Sequence, residues 1–177
     1  MDTPTHALIP VIVYGVMRQE KLASGTREEK IAVLRNAVII GIVGAMPDAL
    51  DRHVTLEERL NSWTHCLAAW AGFSALFAGI SAVRSRWLSP LMALGLSLTY
   101  LSHLVGDAIA GGIRWGYPVV DHVIGDYYVH PKWWIPANFA CAIAAYMVYR
   151  FLPMRAANRR RRDELRQKQA AILEEAN

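Results

Sequence analysis

The chain has 177 residues, of which 54% are hydrophobic and only 19% charged. A soluble domain carries roughly a quarter charged residues, so this composition excludes an ordinary water-soluble fold, and the length suits one domain. The net charge of +4 is supplied by the C-terminal region, where eight Lys/Arg stand against two acids between Arg150 and Lys168; beside a hydrophobic helix, such a block marks the cytoplasmic side of a membrane rather than a nucleic-acid site.

Five apolar segments are predicted. The first, Thr5 to Met17, carries Pro10, with Asp2 or Thr3 available as a cap and Pro4 in the first turn. It lacks a basic lead-in and a small-residue cleavage site, so it is expected to stay in the chain. The second, Ile31 to Met46, contains Arg35 and is expected to end before Pro47, because a proline disfavours helical backbone at the residue before it. Both are short, and tilted, interfacial or re-entrant packing is open to them. The third (Trp63 to Val83), fourth (Trp87 to Val105, with a weak break at Ser89 and Pro90) and fifth (Trp133 to Leu152) reach the roughly 20 residues that cross a bilayer. Cys66 and Cys141 sit singly inside apolar runs and read as small packing residues. The stretch Gly106 to Lys132 is a long loop rich in Gly, aromatics and Asp, a length that usually serves function.

The expected fold is therefore all-α: an integral membrane bundle of four to five helices over residues 1–153, followed by a basic, partly helical cytoplasmic tail over 154–177. If the segments alternate in direction, one side receives Arg18, Lys21, Arg27, Lys30, Arg84, Arg86 and the tail, and the other only Arg52, Arg59, Arg114 and Lys132. The positive-inside rule assigns the first side to the cytoplasm.

The same alternation gathers ionisable residues. His6 opens segment one, Asp48 and Asp51 follow segment two, His65 opens segment three, and His103 and Asp107 close segment four. All six fall on the face opposite the tail. His103 and Asp107 are four apart and share one helical stripe. Imidazole and carboxylate are ligands suited to zinc, manganese or iron, so the set could hold one divalent ion or two, and ionisable groups at membrane depth are costly enough to favour function. Asp51 could equally cap the loop. His53, Asp121, His122, Asp126 and His130 read as solvated loop residues, Trp115, Trp133 and Trp134 as interface anchors. Arg114, a lone guanidinium in the Gly-rich loop, suits a phosphate or carboxylate.

Taken in order, Thr5-His6, Met46-Pro47-Asp48 with Asp51, Trp63-Thr64-His65, Tyr100 to Asp107, and Gly112-Ile113-Arg114 leading to Tyr117-Pro118 resemble the YdjM-like family of bacterial inner-membrane proteins, classed by inference as metal-dependent hydrolases. The likeness covers about residues 3 to 118, and the His103/Asp107 segment is its most specific part. It implies His6, Asp48, His65, His103 and Asp107 as metal ligands, hydrolysis as the chemistry, and the inner membrane as the location. A more distant likeness to zinc-dependent phospholipase C proteins implies a phosphoester.

The functional expectation is a membrane-bound, metal-dependent hydrolase with zinc (or manganese or iron) at its extracytoplasmic face. Asp51 or Asp107 would act as general base and Arg114 would neutralise the phosphate of a lipid or lipid-linked substrate entering from the bilayer. The rivals are a non-enzymatic protein with a structural metal or polar cluster, a metal or proton transporter, and an interaction module working through the tail. Transport would need polar residues continuing along the helices, and only Arg35 and Asn36 stand out.

Overall fold

The computed structural model describes residues 3–51 and 55–175; Asp2, Arg52 and His53 lie outside that range. The described chain is predominantly helical: α1 (Thr3–Met17), a short α2 (Gln19–Ser24), α3 (Arg27–Leu50), a short α4 (Leu56–Leu60), α5 (Leu67–Val83), α6 (Pro90–Ile109), α7 (Trp134–Tyr146) and α8 (Leu152–Glu175). A five-residue π segment, Met147–Phe151, joins α7 to α8. The long loop holds a minimal antiparallel pair, β1 (Ile113–Arg114) and β2 (Val123–Ile124), with Ile113 opposite Ile124.

The second segment is longer than expected at both ends. Thr26 starts α3 with a capping box, its hydroxyl accepting from the Glu29 amide at 3.2 Å while the Glu29 carboxylate accepts from the Thr26 amide at 3.0 Å. Nor does the helix stop before Pro47. The ring removes one N–H, the donor that the Val43 carbonyl would use, at a cost of about 3 kcal/mol in a helix interior. The helix nevertheless runs one more turn, and the Asp51 amide donates to the Pro47 carbonyl at 3.3 Å. Asp48 therefore lies inside the last turn of α3 rather than beyond it.

The third segment is shorter than expected. Residues Trp63 to Cys66 are not helical, and α5 begins only at Leu67. Its 17 residues span about 26 Å at 1.5 Å per residue, under the bilayer's roughly 30 Å core. In the fourth segment Ser89 is a cap rather than a break, its Oγ accepting from the Met92 amide at 3.3 Å. Helix α6 continues to Ile109, so His103 and Asp107 both sit on continuous helix and the loop begins at Ala110.

Among the described residues, three stretches are long and apolar enough to cross a membrane: Arg27–Leu50, Pro90–Ile109 and Pro131–Gln169. Helices α1 and α5 are apolar but shorter. Large apolar side chains point outward along these helices, as with Val38 and Ile42 on α3, Leu94 and Leu98 on α6, and Ile135, Phe139 and Ile143 on α7. That inside-out surface is what lipid requires and water would penalise.

Packing fixes the directions. Thr3 meets Asp48, and Tyr14 meets Asn36, so α1 and α3 run antiparallel. Thr64, just before α5, meets Tyr100, and Ser74 meets Ser97, so α5 and α6 run antiparallel too. Helix α7 lies parallel to α1, with Thr5 bonded to Asn138 and Tyr149 to the Val11 carbonyl. The core between them is Ile40, Val43, Phe77, Leu96, Tyr100, Leu104 and Ile113, with Phe73 stacked on Tyr100 at 5.2 Å. Helix α8 packs on α2, at the far end of α1 from His6.

Candidate metal centre

Four side chains converge where α3 and α6 end and α5 is about to begin. Asp48 comes from the last turn of α3, and His103 and Asp107 from successive turns of α6. His65 comes from the irregular segment before α5, which tertiary bonds hold in place. The Thr64 hydroxyl donates to the Pro47 carbonyl at 3.0 Å, Tyr100 Oη donates to the Thr64 carbonyl at 2.8 Å, and the Leu67 amide donates to the Trp115 carbonyl at 2.9 Å.

One donor atom from each faces a common point, all four within 4.8 Å of one another. His65 Nε2 lies 3.2 Å from His103 Nε2, 3.2 Å from Asp48 Oδ1 and 3.2 Å from Asp107 Oδ2. His103 Nε2 lies 3.3 Å from Asp48 Oδ1 and 3.2 Å from Asp107 Oδ2. His65, His103 and Asp107 are sealed from solvent, while the Asp48 side chain keeps 14% exposure.

The hydrogen inventory says what those atoms present. His103 Nδ1 lies 2.7 Å from the Gly44 carbonyl, which can only accept, so Nδ1 carries the hydrogen. His65 Nδ1 lies 2.9 Å from Ser62 Oγ and 3.0 Å from Thr64 Oγ1. Both hydroxyl hydrogens are engaged elsewhere, Ser62's on Asp51 Oδ2 at 2.7 Å and Thr64's on the Pro47 carbonyl. The hydroxyls must accept, so His65 Nδ1 carries its hydrogen as well. With their hydrogens on Nδ1, two neutral imidazoles here would turn Nε2 lone pairs toward each other beside two carboxylate oxygens. Such an arrangement calls for a cation, or for two added protons.

Its dimensions suit a metal ion. Tetrahedral zinc with ligands at 2.0–2.1 Å places ligand atoms roughly 3.3–3.4 Å apart, and five of the six separations among these four atoms run from 3.2 to 3.3 Å. Two imidazole nitrogens and two carboxylate oxygens are a donor set for zinc, manganese or iron rather than for calcium.

The family profile of the YdjM inner membrane protein matches residues 1–166. The chain belongs to that family. No curated protein and no solved structure matches it.

His6 adjoins the four-atom set without joining it: its Nε2 lies 3.1 Å from the other Asp107 oxygen, Oδ1, and its ring centroid 4.0 Å from that of His103. Asp51 reaches the site through Ser62, one hydroxyl away from His65. Arg114 is outside the cluster, its Nη1 donating to Asn61 Oδ1 at 2.8 Å and its Nε 2.9 Å from Asp121. Asp121, His122, Asp126 and His130 are exposed, and His130 caps the turn at Pro131–Trp133.

Three partners were not singled out from sequence. Arg59, weighed only as a topological charge, is buried and donates from Nη1 to Asp107 Oδ1 at 2.9 Å. Thr3 donates to Asp48 Oδ2 at 2.6 Å, and Ser62 orients His65. An arginine on the side poor in cations, opposite the tail, was the one available signal; hydroxyl residues near a histidine are too common to be one.

Proposed function

We propose that the protein is a membrane-embedded metal-dependent hydrolase acting on a phosphoester of a lipid or lipid-linked substrate. The observation that carries the metal reading is the convergence of two carboxylate oxygens and two imidazole nitrogens, the nitrogens 3.2 Å apart. A divalent ion bound there supplies Lewis-acid polarisation of a phosphoryl oxygen and acidification of water. His65, His103 and Asp107 are the buried holders. Asp48 is the fourth holder and the member that solvent reaches, so water would enter beside it; Asp51, outside the four, is the carboxylate left to take a proton. Arg114, on the loop above, remains the candidate for the substrate's phosphate. Zinc is the ion that the spacing favours.

The cluster sits at helix ends, away from the basic helix α8. With the positive-inside rule this supports an extracytoplasmic site in the inner membrane, a cytoplasmic C-terminus and lateral entry of a lipid substrate. The same reading takes residues 1–153 as the membrane domain and 154–177 as a basic tail.

A second reading is favoured by one feature. Four protein donors around one ion make a closed set, the hallmark of structural zinc, whereas catalytic zinc keeps a position open. Elemental analysis of detergent-purified protein, alongside His103→Ala and Asp107→Ala, tests the metal. Bound ion in the parent and none in either variant is the expected result; unchanged content in both variants would overturn it. Metal-loaded protein that hydrolyses nothing in a broad phosphoester and lipid panel would leave the structural ion as the function.

A further inference from the structure

Resting on the metal reading, we infer that the centre takes a single ion and that Arg59 permanently occupies the place of a second cation, with His6 as a positioning residue and not a ligand. In a dinuclear centre, a bridging carboxylate turns one oxygen to each metal. Here both candidate bridges have their outer oxygen engaged by a hydrogen donor. Asp107 turns Oδ2 to His65 and His103, but its Oδ1 accepts from Arg59 Nη1 at 2.9 Å. The same Oδ1 lies 3.1 Å from His6 Nε2, so His6 meets the outer oxygen of Asp107, on the side that Arg59 holds, and stays outside the set of four donor atoms. Asp48 turns Oδ1 inward, while its Oδ2 accepts from Thr3 Oγ1 at 2.6 Å.

Arg59 cannot swing aside. Its Nη2 donates to the carbonyls of Asp107 at 3.4 Å, Ala110 at 3.2 Å and Gly112 at 3.2 Å, which tie the guanidinium to the C-terminal end of α6. Gly111 closes over it with φ +132, and a Cβ there would stand 2.8 Å from Nη2. One divalent ion and Arg59 already set three positive charges against the two of Asp48 and Asp107. A second ion would make it five in a buried site, where excess charge is heavily penalised.

The test is metal stoichiometry of the full chain in detergent after zinc or manganese loading, for the parent and for His6→Gln, whose amide can still donate to Asp107. The expected result is one ion per chain in both, with affinity in His6→Gln lowered by roughly 10- to 100-fold, the range for partners that orient ligands. Manganese-loaded protein should show the electron paramagnetic resonance spectrum of an isolated ion. Two ions per chain, or a spin-coupled spectrum, would overturn the inference and leave the metal reading standing. Total loss of metal in a folded His6→Gln chain would make His6 a ligand and overturn it equally. No ion in the parent would remove both readings together.

Discussion

The Nε2 atoms of His65 and His103 face each other at 3.2 Å, and each ring's Nδ1 hydrogen is held on the opposite side, by hydroxyls for His65 and by the Gly44 carbonyl for His103. Held this way, the two nitrogens repel unless a positive charge, a metal ion or added protons, lies between them. Filling the site should therefore stabilise the bundle. At an ion concentration 100 times Kd, mass action adds about 2.7 kcal/mol. Thermal unfolding in detergent should rise with added zinc and fall with a chelator; a midpoint indifferent to both would contradict this.

Acidification should release the ion. Both imidazoles bind metal only when neutral and both carboxylates only when ionised, so protons compete at every ligand and affinity falls as pH falls. Equilibrium dialysis across a pH series checks the sign. Binding that strengthens toward acid would exclude this ligand set.

The Ser62 hydroxyl joins Asp51 to His65. Ser62→Ala removes the relay while leaving every proposed ligand in place, and Asp51→Asn weakens its outer end. Each should reduce metal affinity by roughly 10- to 100-fold without abolishing binding. Competition with a metal-binding dye measures this, and Ser62→Thr, which keeps a hydroxyl, should recover part of the loss.

Gly44 lets α1 and α3 touch at the level of the site. A Cβ there would stand 2.7 Å from the His6 carbonyl oxygen and 3.1 Å from Ala7 Cα, both backbone atoms that cannot rotate away. Gly44→Ala should push α1 outward, separating Thr3 from Asp48 and His6 from Asp107, with weaker metal binding and a lower unfolding midpoint. Gly72 has open space around its Cβ position, so Gly72→Ala should be close to neutral.

Arg114 lies outside the four-atom cluster. Under the hydrolase reading, Arg114→Ala should leave metal content unchanged and raise KM for an anionic phosphoester at least tenfold, or about 1.4 kcal/mol. Loss of metal in that variant would instead assign Arg114 to the architecture of the site.

Composition and period alone determined the helical, lipid-facing character of this chain, because apolar runs of this length have few other stable environments. They also brought His6, Asp48, His65, His103 and Asp107 to one end, since alternating helices permit only two ends to choose from. The helix limits were less legible. Pro47 reads locally as a stop, but a single missing hydrogen bond is outweighed by packing against Thr64 and α1. His65 reads as the first turn of a helix, and only the bonds from Thr64, Tyr100 and Trp115 hold it off the helix and aim its ring inward. The finer division of labour, with Arg59 and His6 on one oxygen of Asp107 and the histidine pair on the other, was decided by tertiary structure. A carboxylate's two oxygens are identical in sequence and become different only when neighbours from α1, α4, α6 and the segment before α5 close around them.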